Sequence, residues 1–216
     1  PQGHLAVKAR AGAPAATPGR RLTRLSAGVL DQFLSSGSNF LGLLAAARLL
    51  SKDEFGAYAV AITTFTVLLG LCRALNGEAL LVRVGEDADS NRDRVSRAAT
   101  DGFVLGLGVV PVLLFVVAVV DGPTAGALLA LALTLPALLL QDTLRFGAFA
   151  RAIPRLAVSS DATWVGLQLL AYVVIHLAGD PSAFVMVLAW AGTGAVAGLA
   201  QLWLDDVGLV LSRPLS

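Results

Sequence analysis

Charged residues, cysteine and methionine are all scarce in this chain. Charged residues make up 14% of its 216 residues, against ~25% in an average soluble domain, so a water-soluble fold would lack polar surface. Cys72 is the only cysteine, which excludes a disulfide framework and a thiolate metal cluster within one chain. The histidines, His4 and His176, form no cluster, and we expect no metal or cofactor. Met186 is the only methionine, and the lack of an initiator methionine predicts a fragment or a processed chain.

Long apolar runs take the place of the missing charges. Hydrophobic residues account for 56% of the chain and the mean hydropathy is +0.75, values typical of an all-α integral membrane protein. We predict that residues 1–23 form a disordered, basic cytoplasmic tail and that residues 24–216 form a six-span transmembrane unit. Each span is near the ~20 residues that cross a bilayer core. The predicted spans are residues 25–49, 55–82, 101–120, 124–144, 162–178 and 182–204.

Lysine and arginine are distributed unevenly between the predicted connections. Thirteen of them fall on one side, in the tail, in and beside the predicted loops 84–100 and 146–161, and at Arg213. The other side holds only Arg48 and Lys52, and Arg73 falls inside a span. The positive-inside rule then places both termini in the cytoplasm, which requires an even number of spans.

The same distribution excludes some function classes. A net charge of +1 gives no basis for nucleic-acid binding. The connections predicted outside the membrane are too short to carry a catalytic domain. We therefore expect a membrane protein that is not an enzyme.

The first two spans carry opposite charges inside their apolar runs. Asp31 lies in the first and Arg73 in the second, and the short connection Ser51-Lys52-Asp53-Glu54 joins them. An antiparallel hairpin would set the two charges at similar depth. Charged residues within a membrane usually face a bundle interior or a water-filled cavity. This pattern predicts a solvated transport path, and a structural Asp31–Arg73 ion pair is the alternative.

Polar residues form a stripe on each helix of this hairpin. Asp31, Gln32 and Asn39 share one half of the first span with several serines, as helical periodicity dictates. On the second, Thr66, Gly70, Arg73 and Gly77 share a narrow face. The stripes predict a wet cavity lined by Asp31, Gln32, Asn39, Arg73 and Glu78. Interhelical hydrogen bonding and close helix packing are the other explanation.

Further charges are expected at the ends of the spans. Arg48 and Arg83 lie near the two ends of the hairpin, where arginine also serves as a snorkelling anchor. Asp142 and Arg145 are three residues apart, so they share a helix face. We predict that these four residues form a gate or contact headgroups. For Asp142 and Arg145, an interfacial ion pair is an equally good explanation. Arg151 and Arg155 predict contact with anionic lipid headgroups.

Proline and glycine also occur inside the spans. Pro111 and Pro136 predict kinks in the third and fourth spans. The pairs Gly102/Gly106 and Gly194/Gly198 have the spacing that permits close helix contact, most simply inside one bundle.

Several of these residues together resemble a known family. The sequence is similar, over most of residues 25–168, to polysaccharide-export flippases of the Wzx-like branch of the MOP exporter superfamily. The resemblance lies in Asp31-Gln32, Ser35-Ser36, Ser38-Asn39-Phe40, Ala47-Arg48, Glu54-Phe55-Gly56, Gly70-Leu71, Arg73-Ala74, Glu78 and Val82-Arg83, and then in Pro136, Leu140-Gln141-Asp142, Arg145-Phe146, Arg155 and Asp161.

The resemblance implies a fold and a function. The chain would be the amino-terminal, six-helix lobe of a MOP/MATE-like transporter in the bacterial plasma membrane. It would move lipid-linked oligosaccharide precursors from the cytoplasmic to the outer face for surface polysaccharide biosynthesis. Arg73, Arg83 and Arg48 would engage the sugar-diphosphate head, and Asp31 and Glu78 would balance or gate that charge.

The chain stops after six predicted spans, whereas the family has about twelve in two lobes. The expected partners are therefore membrane lipids, the lipid-linked substrate, and a missing second lobe or a second copy. Two alternatives stay open: a lobe of a MATE-type cation-coupled multidrug antiporter, and a scaffold subunit that transports nothing.

Overall fold

Five long helices dominate the computed structural model. It describes residues 36–77, 88–179, 181–205 and 207–209, and these residues contain no β-strand. Residues 36–49 are helical and are called α1 here. The other helices are α2 (Lys52–Cys72, continued by a π-helical turn at Arg73–Gly77), α3 (Ala88–Val119), α4 (Pro123–Ala150), α5 (Pro154–Ala178) and α6 (Ala183–Leu204).

The helices α2 to α6 are each long and apolar enough to cross a membrane. The described residues are therefore helical and of the multi-pass membrane type, with five helices that have the length and composition of membrane spans. The predicted first span, residues 25–49, is described only from residue 36 onward, so a sixth span remains a prediction. The predicted tail, residues 1–23, also lies outside the described residues.

The second to sixth predicted spans each overlap one of the helices α2 to α6, but several of their predicted bounds were wrong. Residues 88–100 belong to α3 and not to a loop, and the predicted loop 146–161 shrinks to residues 151–153. Hydropathy finds the apolar part of a helix, whereas backbone hydrogen bonding continues through Ser, Asn and Arg outside it. Pro154 begins α5, because proline lacks an N–H that the first turn would leave unpaired.

The connections between helices are short where the structure describes them. The predicted four-residue link at 51–54 is shorter than expected, since Lys52 already begins α2 and Ser51 is its N-cap. The Ser51 hydroxyl accepts a hydrogen bond from the Glu54 backbone N–H at 3.4 Å. Glu54 in turn accepts from the backbone N–H of Ala183, the first residue of α6. The starts of α2 and α6 are thereby joined.

Helix α4 is the centre of the bundle and packs against α2, α3, α5 and α6. In its most apolar 18-residue window 61% of the residues are buried, against 17% in α3. Pro136 lies within α4 and is buried, whereas Pro111 of α3 is exposed.

Glycines set the distance between α4 and its neighbours. A Cβ atom at Gly106 would lie 2.5 Å from the Cα of Pro136, and one at Gly198 would lie 2.5 Å from the Cβ of Gln141. Gly102 and Gly194 are equally tight, against Thr143 and Trp164. The prediction that both glycine pairs pack inside one bundle is confirmed.

Helix α1 is attached to the bundle through polar groups. The Gln168 amide donates to the carbonyl oxygen of Ser38 at 3.0 Å and to the Tyr172 hydroxyl at 2.9 Å. A Cβ atom at Gly42 would lie 2.8 Å from the Tyr58 hydroxyl oxygen and 3.0 Å from that of Tyr172. Because residue 42 is glycine, α1 can approach these side chains closely.

Candidate functional site

A cavity of about 300 Å³ lies between α1, α2, α4, α5 and α6. It has a charged wall and an aromatic wall, with polar residues of α1 and α2 beside them. The lining residues are Ser36, Asn39, Ile62, Phe65, Thr66, Leu69, Arg73, Gln141, Asp142, Arg145, Trp164 and Trp190.

The aromatic wall is formed by three interlocked rings. Phe65 and Trp190 pack edge to face with centroids 5.0 Å apart, and Trp164 lies 5.7 Å from Trp190. The indole N–H of Trp164 donates to the carbonyl oxygen of Trp190 at 2.8 Å. That bond satisfies the polar atom of a buried indole and fixes its ring against the cavity.

The charged wall is built around a bidentate ion pair between α2 and α4. Arg73 Nε donates to Asp142 Oδ2 at 2.9 Å, and Arg73 Nη2 donates to Asp142 Oδ1 at 2.6 Å. Parallel bonds of this kind are the strongest arginine–carboxylate geometry. The Arg73 side chain is 35% exposed, while that of Asp142 is 6% exposed. The guanidinium also lies 5.5 Å from the centroid of the Phe146 ring, within cation–π range.

A second pair extends this wall to α5. Arg145 Nη1 lies 3.6 Å from Asp142 Oδ1 and 3.9 Å from Asp161 Oδ2. The Gln141 amide donates to Asp161 Oδ1 at 3.1 Å and to the Ser160 hydroxyl at 3.3 Å. Cations and anions therefore alternate from Arg73 to Asp142, Arg145 and Asp161, and the formal charges of these four residues cancel.

The local fold explains why these side chains converge. Arg73 is the first residue of the π-helical turn that follows α2, and such turns often occur at functional sites. Asp142 lies about 8 Å beyond the midpoint of α4 at 1.5 Å per residue, on the side of the arginine-rich ends. A ~30 Å apolar core extends ~15 Å either way from its centre. Arg73, which follows the last residue of α2, is about 16 Å from the middle of that helix at 1.5 Å per residue. The ion pairs therefore lie towards the arginine-rich ends of the helices and not at the middle of the bundle.

Four of the predicted site residues line the cavity together: Asn39, Arg73, Asp142 and Arg145. The predicted stripe on the first span is represented there by Ser36 and Asn39. Arg48 is exposed near the end of α1 and does not line the cavity. Asp31, Gln32, Glu78 and Arg83 lie outside the described residues.

The structure shows a charge partner for Arg73 that was not expected from the sequence. Arg73 contacts Asp142, a residue that the sequence placed in a separate pair with Arg145, and the Asp31–Arg73 pair remains a prediction. The expected Asp142–Arg145 proximity is confirmed at 3.6 Å. Arg151, expected at lipid headgroups, pairs with Asp205 after α6.

Sequence reasoning missed five polar and aromatic contributors. Gln141 and Ser160 were not singled out as site residues, nor was Asp161 outside the resemblance, and the three are 2–4% exposed. A polar residue inside an apolar span was the available signal for Gln141. The ring residues Trp164 and Trp190 gave no signal, because aromatics are equally common at lipid-facing positions.

The groups that line the cavity are of several chemical kinds. The described residues contain no cluster of three or more His, Cys, Asp or Glu side chains that could hold a metal ion. The cavity instead combines a half-exposed guanidinium with amide, hydroxyl and aromatic groups. No family model, curated protein or solved structure matches the chain, so the contacts of the cavity carry the functional argument.

Proposed function

We propose that this chain is one lobe of a bacterial plasma-membrane flippase. Its cavity would take the head of a lipid-linked oligosaccharide precursor on the way from the cytoplasmic to the outer face. A second lobe or a second copy would complete the path, because alternating access requires one bundle to move against another. Both termini would lie in the cytoplasm, as the distribution of arginine indicates.

The observation that carries this proposal is the position of Arg73. Its guanidinium is 35% exposed and lines a cavity between helices that are long and apolar enough to span a membrane, and a charge among such helices is usually functional. Arginine stays ionised when desolvated and matches phosphate oxygens with paired donors. Asn39 and Thr66, which line the same cavity, supply polar groups for the rest of a hydrophilic head.

A lobe of a MATE-type antiporter for cationic compounds is the second candidate. It is favoured by the aromatic wall of Phe65, Trp164 and Trp190, since aromatic faces attract organic cations. The balanced charges of the four ion-paired residues also favour the third candidate, a scaffold whose charges only hold helices together.

Photo-crosslinking separates these candidates. The full chain in nanodiscs is exposed to a polyprenyl diphosphate that carries a diazirine near its phosphates, and labelled peptides are mapped by mass spectrometry. A flippase lobe should be labelled within residues 62–73 and 141–145. Arg73→Gln should lose this labelling, and Arg155→Gln, which removes an exposed arginine outside the cavity, should keep it.

The competing candidates give different results in the same experiment. If tetraphenylphosphonium binds in the cavity and the diphosphate probe does not label it, the antiporter is favoured. A scaffold should bind neither probe, and its Arg73→Ala variant should fall in membrane abundance. Labelling confined to the outer helix faces would contradict the flippase proposal.

A further inference from the structure

Arg73 is already occupied in this structure by an internal anion. Both of its paired donors, Nε and Nη2, point at the two oxygens of Asp142. A phosphate group that binds arginine in a bidentate manner needs the same two donors. An incoming anion therefore competes directly with Asp142.

Asp142 keeps a cation when Arg73 leaves it. Arg145 Nη1 lies 3.6 Å from Asp142 Oδ1, close enough to become a direct hydrogen bond after a small side-chain movement. A buried carboxylate that loses all of its compensation is strongly destabilising. Arg145 compensates the charge of Asp142 after Arg73 leaves. Arg73 can therefore leave only because Arg145 is present.

The next carboxylate along the row does not depend on Arg145 alone. Gln141 donates to Asp161 Oδ1 at 3.1 Å, while Arg145 is 3.9 Å from Asp161 Oδ2. When Arg145 moves towards Asp142, Asp161 therefore keeps the hydrogen bond from Gln141. Arg73 is also the more accessible of the two arginines, since its side chain is 35% exposed and that of Arg145 is 10% exposed. Arg73 is the member that can turn into the cavity.

We propose that Asp142 is a resident counter-anion that a phosphate-bearing head displaces from Arg73. On binding, Arg73 moves to the phosphate oxygens and Asp142 pairs with Arg145. On release, Asp142 takes Arg73 back, which weakens binding and helps the head to leave. This inference rests on the proposed function, and it assigns Asp142 the role of a residue that sets affinity and release.

Binding of farnesyl diphosphate tests the exchange. The full chain carries Trp203→Phe, which removes a tryptophan 83% exposed on α6, so that the remaining indoles, Trp164 and Trp190, both report on the cavity. The protein is placed in phosphatidylcholine nanodiscs, and Kd and the dissociation rate are measured by fluorescence. Inorganic diphosphate is titrated in parallel to distinguish a lipid-linked head from a free anion.

Asp142→Asn should tighten binding of the probe by about tenfold or more, the change that follows from losing one charge-assisted competitor. The dissociation rate should fall by a similar factor. Arg73→Gln should abolish binding both in the parent chain and in the Asp142→Asn variant. Asp205→Asn is the matched control, because it removes a carboxylate from the Arg151–Asp205 pair, away from the cavity, and should leave Kd unchanged.

The outcomes distinguish this inference from the function on which it rests. If the parent chain binds farnesyl diphosphate through Arg73 but Asp142→Asn does not tighten it, the exchange is overturned and the flippase proposal stands. If neither protein binds, both fail. Equal tightening with inorganic diphosphate supports the exchange and contradicts a lipid-linked ligand. Should Asp142→Asn not accumulate, the charge-balanced Asp142→Asn/Arg145→Gln variant should show the same tightening.

Discussion

Helices α3 and α4 lie side by side, and the helix with the more apolar 18-residue segment is the less buried. The most apolar window of α3 has a mean hydropathy of 2.7 and is 17% buried, whereas that of α4 has a mean hydropathy of 1.9 and is 61% buried. Helix α3 exposes Leu107, Val112 and Phe115. Helix α4 buries Gln141, Asp142, Thr143 and Arg145.

The difference follows from the solvent around a membrane protein. Lipid chains are as apolar as leucine, so burying a leucine between helices gains little from the hydrophobic effect. Polar and charged side chains, in contrast, are costly in lipid and gain partners inside the bundle. Helix α4, whose buried polar and charged side chains find partners on α2 and α5, therefore takes the centre. The comparison can be tested by matched substitutions in α3 and α4.

The largest effect is expected from the buried acid of α4. Asp142→Ala leaves Arg73 and Arg145 without this shared anion, and breaking a buried ion pair costs about 3–5 kcal/mol. Asp101→Ala removes an exposed acid of α3 and should change stability by less than about 0.5 kcal/mol. Unfolding of both variants by SDS in mixed micelles measures the difference. Equal losses of stability in the two variants would show that the buried charge of α4 stabilises the protein no more than the exposed charge of α3.

Overpacking should give the next largest effect. Gly106→Leu places a side chain where a Cβ atom already lies 2.5 Å from Pro136 Cα. Because the clash is with backbone, we expect a cost of about 3 kcal/mol, the upper end of the usual range for overpacking. Gly108→Leu adds the same atoms to α3 where nothing lies within 4 Å. Thermal denaturation in detergent should therefore separate the two variants. A destabilised Gly108→Leu would mean that another helix covers this face.

Truncating a leucine should give the smallest effect of the three. Leu139→Ala opens a void at a fully buried position of α4 and should cost about 2 kcal/mol, the low end of the range for soluble cores, because the transfer term is small in lipid. Leu107→Ala, 49% exposed on α3, should be nearly neutral under the same SDS titration. A larger loss at Leu107 would reverse the assignment of inner and outer helices.

The sequence was sufficient for the features that depend on local spacing. Apolar runs located the helices, the four-residue spacing of Gly102 and Gly106 predicted a close contact, and the three-residue spacing of Asp142 and Arg145 predicted proximity. Each of these follows from the geometry of a single helix. The cavity was also expected on the correct face of α2, since Thr66 and Arg73 both line it.

Features that depend on which helices are neighbours could not be read in this way. Arg73 had two acids at plausible depth, Asp31 and Asp142, and hydropathy does not reveal that α2 packs on α4. Helix ends were missed for a different reason. Residues 88–100 are polar, so they mark the end of the apolar run, although the backbone continues as helix through them.

The contact at Gly42 has a consequence for any residue that replaces it. Three polar tips, from Tyr58, Gln168 and Tyr172, fill the space that one added carbon would need. Alanine there would force either these side-chain ends or α1 itself to shift, and α1 carries Ser36 and Asn39, which line the cavity. One methyl group at residue 42 would thus change the shape of a cavity that residue 42 does not itself line.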